Sequence, residues 1–140
     1  QLMSRVLGGT VSRSPYGELG WFEIESVDES LVPRGPWFQY HWDRFTFPPG
    51  STEVARNELC PQAYVFGRTL GVQFHPEIDL NVLDMWLAME GGVAEVEAEG
   101  VNVEELRKQT KSLELESNQR GHDLVDQFLD RVATAPIVRI

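Results

Sequence analysis

His75 and Glu77 stand two residues apart in the stretch GVQFHPEI, Gly71 to Ile78. An imidazole and a carboxylate at this spacing can act as a pair. The carboxylate accepts a hydrogen bond from one ring nitrogen, fixes the tautomer and leaves the other nitrogen free to move a proton. That is the base and orienter of a hydrolytic triad. Taken on spacing alone, the same residues also describe a surface histidine beside a surface glutamate at the end of a core strand. The three histidines, His41, His75 and His122, do not fall at metal-ligand spacing, so no metal site is expected. LGGT and MEGGV lack the lysine or the helix start that phosphate loops require, so no nucleotide or other cofactor is expected.

The pair must be held by a sheet. From Thr10 to about Phe74 the pattern is mostly β: LGWFEI and WFQYHWDRFTF are rich in aromatic and branched residues and are bounded by turn clusters. QAYVFG and TLGVQF predict a hairpin turning at Gly67 and Arg68, with TEVARN as a short neighbour. In a strand, side chains two apart share a face, so His75 and Glu77 are expected to point the same way where Pro76 ends ladder pairing. After Pro76 the period changes to that of helices. Asp79 is the expected N-cap of DLNVLDMWLAMEGG, and Asn102, with Glu105 three residues on, opens a charged helix. A last helix carries Leu124, Val125, Phe128, Leu129 and Val132 on one side, with His122 at its start as a surface or capping residue. At the front, LMSRV reads as helix closed by Gly8 and Gly9.

The chain has 140 residues, 41% of them hydrophobic, which suits a single domain spanning residues 1–140. Its 22 acidic residues outnumber its 12 basic ones, and the basic ones are scattered. Phosphate binding draws on clustered positive charge, so neither a nucleic acid nor an anionic membrane surface is an expected partner. One cysteine, Cys60, makes no disulfide framework, and no secretory signal or membrane span is legible; the cytoplasm is the expected compartment.

Several segments, in order, resemble class I glutamine amidotransferases of the GMP-synthase-like group. GVQFHPE resembles that family's His-Glu segment. QLMSRVLGG is similar to the helix after its nucleophile elbow, GELGWFEI to its EIGW segment, and YHWDRFTFPPGSTEVARN to its SHxD segment; CPQAYVFGRTLGVQFHPE completes the match. The resemblance covers residues 1–79, and 80–140 form a helical C-terminal region similar only in character. It implies an α/β fold, an open and mostly parallel flavodoxin-like sheet with flanking helices, of which this chain is the C-terminal part. It also implies glutamine as substrate, hydrolysed to glutamate and ammonia by a Cys-His-Glu triad with His75 and Glu77 as two members. Gln1 and the loop containing Tyr40, Trp42 and Asp43 would contact the substrate, and His41 is either part of that loop or a hydrogen-bonded structural histidine. An ammonia-accepting synthetase domain would be a partner.

The departures are equally specific. The family's cysteine and oxyanion loop would lie before Gln1, so the chain reads as the C-terminal portion of an amidotransferase domain whose missing N-terminal half is supplied in the same or a separate chain. Trp42 stands where the family often has a small or polar residue. Cys60 does not sit on a strand-to-helix turn, and is expected to be buried and unreactive. The alternative reading is a non-catalytic or truncated amidotransferase-like module with a binding or regulatory role.

Overall fold

A computed structural model describes residues 1–135; residues 136–140, the end of the expected helical region, lie outside the described residues. The elements are α1 (Leu2–Val6), β1 (Val11–Glu23), β2 (Glu25–Ser26), β3 (Pro36–Phe45), β4 (Thr52–Arg56), β5 (Pro61–Phe66), β6 (Thr69–Val72), α2 (Leu80–Leu87), α3 (Gly92–Ala98) and α4 (Val103–Gln127), which runs into a π-helical turn, Phe128–Ala133. β1 pairs with β3, and a second sheet has the order β2-β4-β5-β6.

Every ladder among the described residues is antiparallel. The expectation of an open, mostly parallel sheet is therefore not met here. The physical reason lies in the connections: a parallel pair needs a crossover of a dozen or more residues, whereas β4, β5 and β6 follow one another through short turns. Gly67, at φ +56°, makes the β5–β6 turn where the sequence placed it.

β3 divides the interior. Side chains alternate along it, so Trp37 enters one core with Ile24, Val54, Ala63, Phe74, Leu124 and Val132, while Phe38 enters a second core with Leu19, Ile78, Leu83, Val96 and Leu106. α4 spans both cores and is fastened to the first sheet: Trp21 donates its indole N–H to Thr110 Oγ1 at 3.0 Å, and Arg120 donates to the Pro36 carbonyl at 2.8 Å. The two expected caps form, with Asp79 Oδ1 accepting from Val82 N at 2.7 Å and Asn102 Oδ1 from Glu105 N at 2.9 Å.

The helical region differs from expectation in one respect that bears on the site. His122 does not start a helix; it is an exposed residue inside the continuous α4. Gly121, just before that expected start, sits mid-helix, and the backbone approaches closely there: a Cβ on it would lie 2.8 Å from the Pro76 carbonyl. α4 thus presses directly on the turn that holds His75 and Glu77.

That contact makes a prediction. Gly121→Ala should improve intrinsic helix propensity by about 1 kcal/mol but force the Pro76 backbone aside, for a net loss on the order of 1 kcal/mol. Urea denaturation measures it, and a variant as stable as the parent would show that the turn yields without resistance.

Candidate functional site

β6 ends at Val72, so His75 and Glu77 lie on a turn beyond the strand, and it is the turn rather than strand alternation that brings them together. Both flanks of the turn are anchored. Phe74 is buried against Trp37, ring centroids 4.4 Å apart, and Ile78 is fully buried in the other core. The His75 amide donates to the Phe38 carbonyl at 2.9 Å, and the edge of Trp86 on α2 meets the imidazole at a centroid distance of 4.9 Å.

His75 Nδ1 and Glu77 Oε1 are 2.8 Å apart. An ionised carboxylate only accepts, so Nδ1 carries a proton, and in the neutral ring Nε2 keeps its lone pair. The bond to His75 holds the Glu77 carboxyl below its ordinary pKa. The pair has the chemistry of an oriented general base.

A hollow of about 380 Å³ opens beside the imidazole. Of the six candidate residues, Gln1, Tyr40, Trp42, Asp43 and His75 line it, and Glu77 stands behind His75. Arg13, His41 and Gln73 line it as well, the first and last unmarked by the sequence. Arg13 was legible only through register, since it pairs with Asp43 across β1 and β3. Gln73 carried no signal beyond its place before Phe74 and His75. The side-chain amides of Gln1 and Gln73 both donate to the Asp43 carbonyl, at 3.1 and 2.7 Å, which ties α1 and the end of β6 to β3.

Trp42 forms one wall. It donates its indole N–H to Glu99 Oε1 at 2.5 Å, lies under the Arg13 guanidinium at 5.6 Å, and packs against Gly17, where a Cβ would come within 2.7 Å of Trp42 Nε1. Glu99 Oε2 also accepts from the Gly17 amide at 3.2 Å. A large residue fits at position 42 because Gly17 leaves room for it and Glu99 fixes it. Among the described residues no three His, Cys, Asp or Glu side chains are grouped as a metal site, and no helix is long and apolar enough to cross a membrane.

No protein-family model matches the chain. It is 39% identical over 105 residues to the glutamine-hydrolysing GMP synthase of Aeropyrum pernix, a match covering 65% of this chain and 20% of that one. It is 36% identical over 87 residues to a glutamine-hydrolysing GMP synthase subunit from Thermococcus kodakarensis, covering 56% and 46% respectively. The chain therefore spans less than half the length of either of these relatives. Its fold is similar to that of a glutamine amidotransferase from Thermotoga maritima, with a TM-score of 0.77 and 27% identity over 96% of this chain and 59% of the other. A glutamine amidotransferase from Methylobacillus flagellatus shares the fold at a TM-score of 0.81 and 21% identity, over 100% and 61%. The resemblance to class I glutamine amidotransferases of the GMP-synthase-like group, read from the motifs, holds.

Cys60 lies outside the hollow. It is buried and hydrogen-bonded to the fully buried Glu18 at 3.0 Å, and burial, with the adjacent carboxylate, pushes its thiol up to about 12. A thiol held protonated is no nucleophile. Native protein at neutral pH should therefore resist iodoacetamide, reacting at Cys60 only after denaturation; labelling of Cys60 in the folded protein, read by mass spectrometry, would contradict this.

Proposed function

We propose that the hollow is the substrate side of a glutamine amidotransferase site, and that the chain is the C-terminal part of such a domain. The observation that carries this reading is the 2.8 Å His75–Glu77 pair at the rim of a hollow that also gathers Gln1, Tyr40, Trp42 and Asp43. The nucleophilic cysteine and the oxyanion donors come from a segment preceding Gln1, in the same or a separate chain. α1 has the surface to receive that segment, for Leu2 and Val6 are 79% and 72% exposed.

Glutamine fits the hollow by charge. Arg13 and Asp43, cross-strand neighbours, offer a cation to the α-carboxylate and an anion to the α-ammonium group. The chemistry then follows from the tautomer. His75 Nε2 takes the thiol proton, and the thiolate attacks the side-chain amide carbon. The tetrahedral intermediate collapses as the imidazolium returns that proton to the leaving nitrogen, releasing ammonia and leaving a thioester. Water, deprotonated by His75, attacks the thioester carbon; the C–S bond breaks, the thiol regains a proton and glutamate departs. Glu77 keeps Nδ1 protonated and stabilises the ring each time it becomes cationic. The ammonia passes to a synthetase domain or subunit, in the cytoplasm.

The test uses the chain joined to its Cys-bearing segment. His75→Ala should lower ammonia release from glutamine by about 10⁴-fold or more, as loss of the base does in other triads. Glu77→Gln should lower it less, by roughly 10²- to 10⁴-fold, since an amide holds the ring but does not balance its charge. Both should melt close to the parent, because Phe74 and Ile78, not these side chains, fix the turn. If His75→Ala retains near-parental turnover, or loses it only by unfolding, the turn is structural and the proposal fails.

A further inference from the structure

Beneath the hollow lies a closed ring of buried polar side chains: Glu18, Cys60, Gln62, Gln39 and His41, each 8% exposed or less. The direction of its hydrogen bonds follows from Glu18. A carboxylate only accepts, so the Cys60 S–H points to Glu18 Oε2, 3.0 Å away, and the sulfur has only a lone pair for its other neighbour. Gln62 Nε2 therefore donates to that sulfur at 3.4 Å, which turns Gln62 Oε1 towards Gln39 Nε2 at 2.8 Å. Gln39 Oε1 is then left facing His41 Nε2 at 2.9 Å. Glu18 Oε2 itself is 3.6 Å from the same nitrogen. With acceptors on both sides, His41 Nε2 carries the proton. Asn57 completes the anchor by donating to Glu18 Oε1.

We infer that Glu18 is a positioning residue, which through this one-way chain holds His41 in the Nε2–H form in the wall of the hollow and thereby fixes the Tyr40–Asp43 stretch that receives the substrate. The inference rests on the glutamine reading of that hollow. His41 lies two residues before the Asp43 carbonyl on which Gln1 and Gln73 converge, so the chain and those two amides hold one stretch of β3 from its two sides. Burial, the largest of the effects on it, lowers the His41 pKa; the Glu18 carboxylate opposes this, His75 lowers it, and the net direction is down. A neutral His41 places no like charge beside His75 when that ring becomes cationic.

The experiment uses ¹⁵N-histidine-labelled protein carrying its Cys-bearing segment, with Cys60→Ser, Cys60→Val and Glu18→Gln. Serine keeps one donor and one acceptor in the chain; valine keeps the bulk and neither. Cys60→Ser should retain the parental His41 imidazole ¹⁵N pattern and the parental KM for glutamine. Cys60→Val and Glu18→Gln should depart from the parental Nε2–H pattern and raise KM by about five- to tenfold, the scale of one buried hydrogen bond, with kcat within about twofold. If Cys60→Val leaves the tautomer and KM unchanged, or if serine and valine are equally damaging, the inference is overturned, the second outcome meaning that only packing matters. A changed tautomer with an unchanged KM also overturns it. Parental protein that does not turn over glutamine would instead overturn the amidotransferase reading, and the two failures are distinct because the imidazole pattern is read without ligand. Should Glu18→Gln not fold, the Cys60 pair decides alone.

Discussion

The site depends on one constraint: a short turn is clamped between two hydrophobic cores. Phe74 belongs to the core that contains Trp37, Ile78 belongs to the core that contains Phe38, and the residues between them have no freedom to choose another face. β3 makes this possible, because its alternating side chains feed both cores and its Phe38 carbonyl takes the His75 amide. α4 then closes against the Pro76 backbone at Gly121, and Asp79 starts α2 immediately after the turn. Burial of apolar side chains, which has no directionality of its own, is converted here into a fixed imidazole and carboxylate.

Around that clamp, the polar groups divide into two kinds. Those of the buried ring under β3, all but His41 Nδ1, are hydrogen-bonded to one another in a low-dielectric setting, where an unpaired group costs most, and this rigidifies the strand that lines the hollow. Those of the hollow itself, Arg13, Asp43 and His75, line open space instead. Trp42 is held from two directions at the hollow's wall, its indole N–H tied to the exposed Glu99 and its face taking the Arg13 guanidinium. The protein's large acidic excess is therefore no guide to this site, where a cation and an anion face each other across the strands.

Much of this was legible in the sequence because it is local. The caps at Asp79 and Asn102, the hairpin at Gly67 and the closeness of His75 to Glu77 follow from residues within a few positions of each other. What was not legible depends on distant partners. The helix expected to begin at His122 is continuous through Gly121, which packs against Pro76, so one long helix looked like two. α3 has no N-capping side chain, starting from Gly91, and gave no start signal. Arg13 and Gln73 reach the hollow through strand register and a long-range hydrogen bond, neither visible from spacing. The mostly parallel sheet was expected from resemblance alone, and the described residues hold only antiparallel pairs.

In the proposed reading, the His75–Glu77 turn serves a thiol supplied from a segment before Gln1, and the hollow receives glutamine. The most direct test of that reading is affinity labelling of the protein carrying that segment with a chloroketone analogue of glutamine, followed by mapping of the adduct. The account predicts a single covalent adduct on the upstream cysteine, formed at a rate that free glutamine suppresses by competition. An adduct on Cys60, or none that glutamine suppresses, would contradict it.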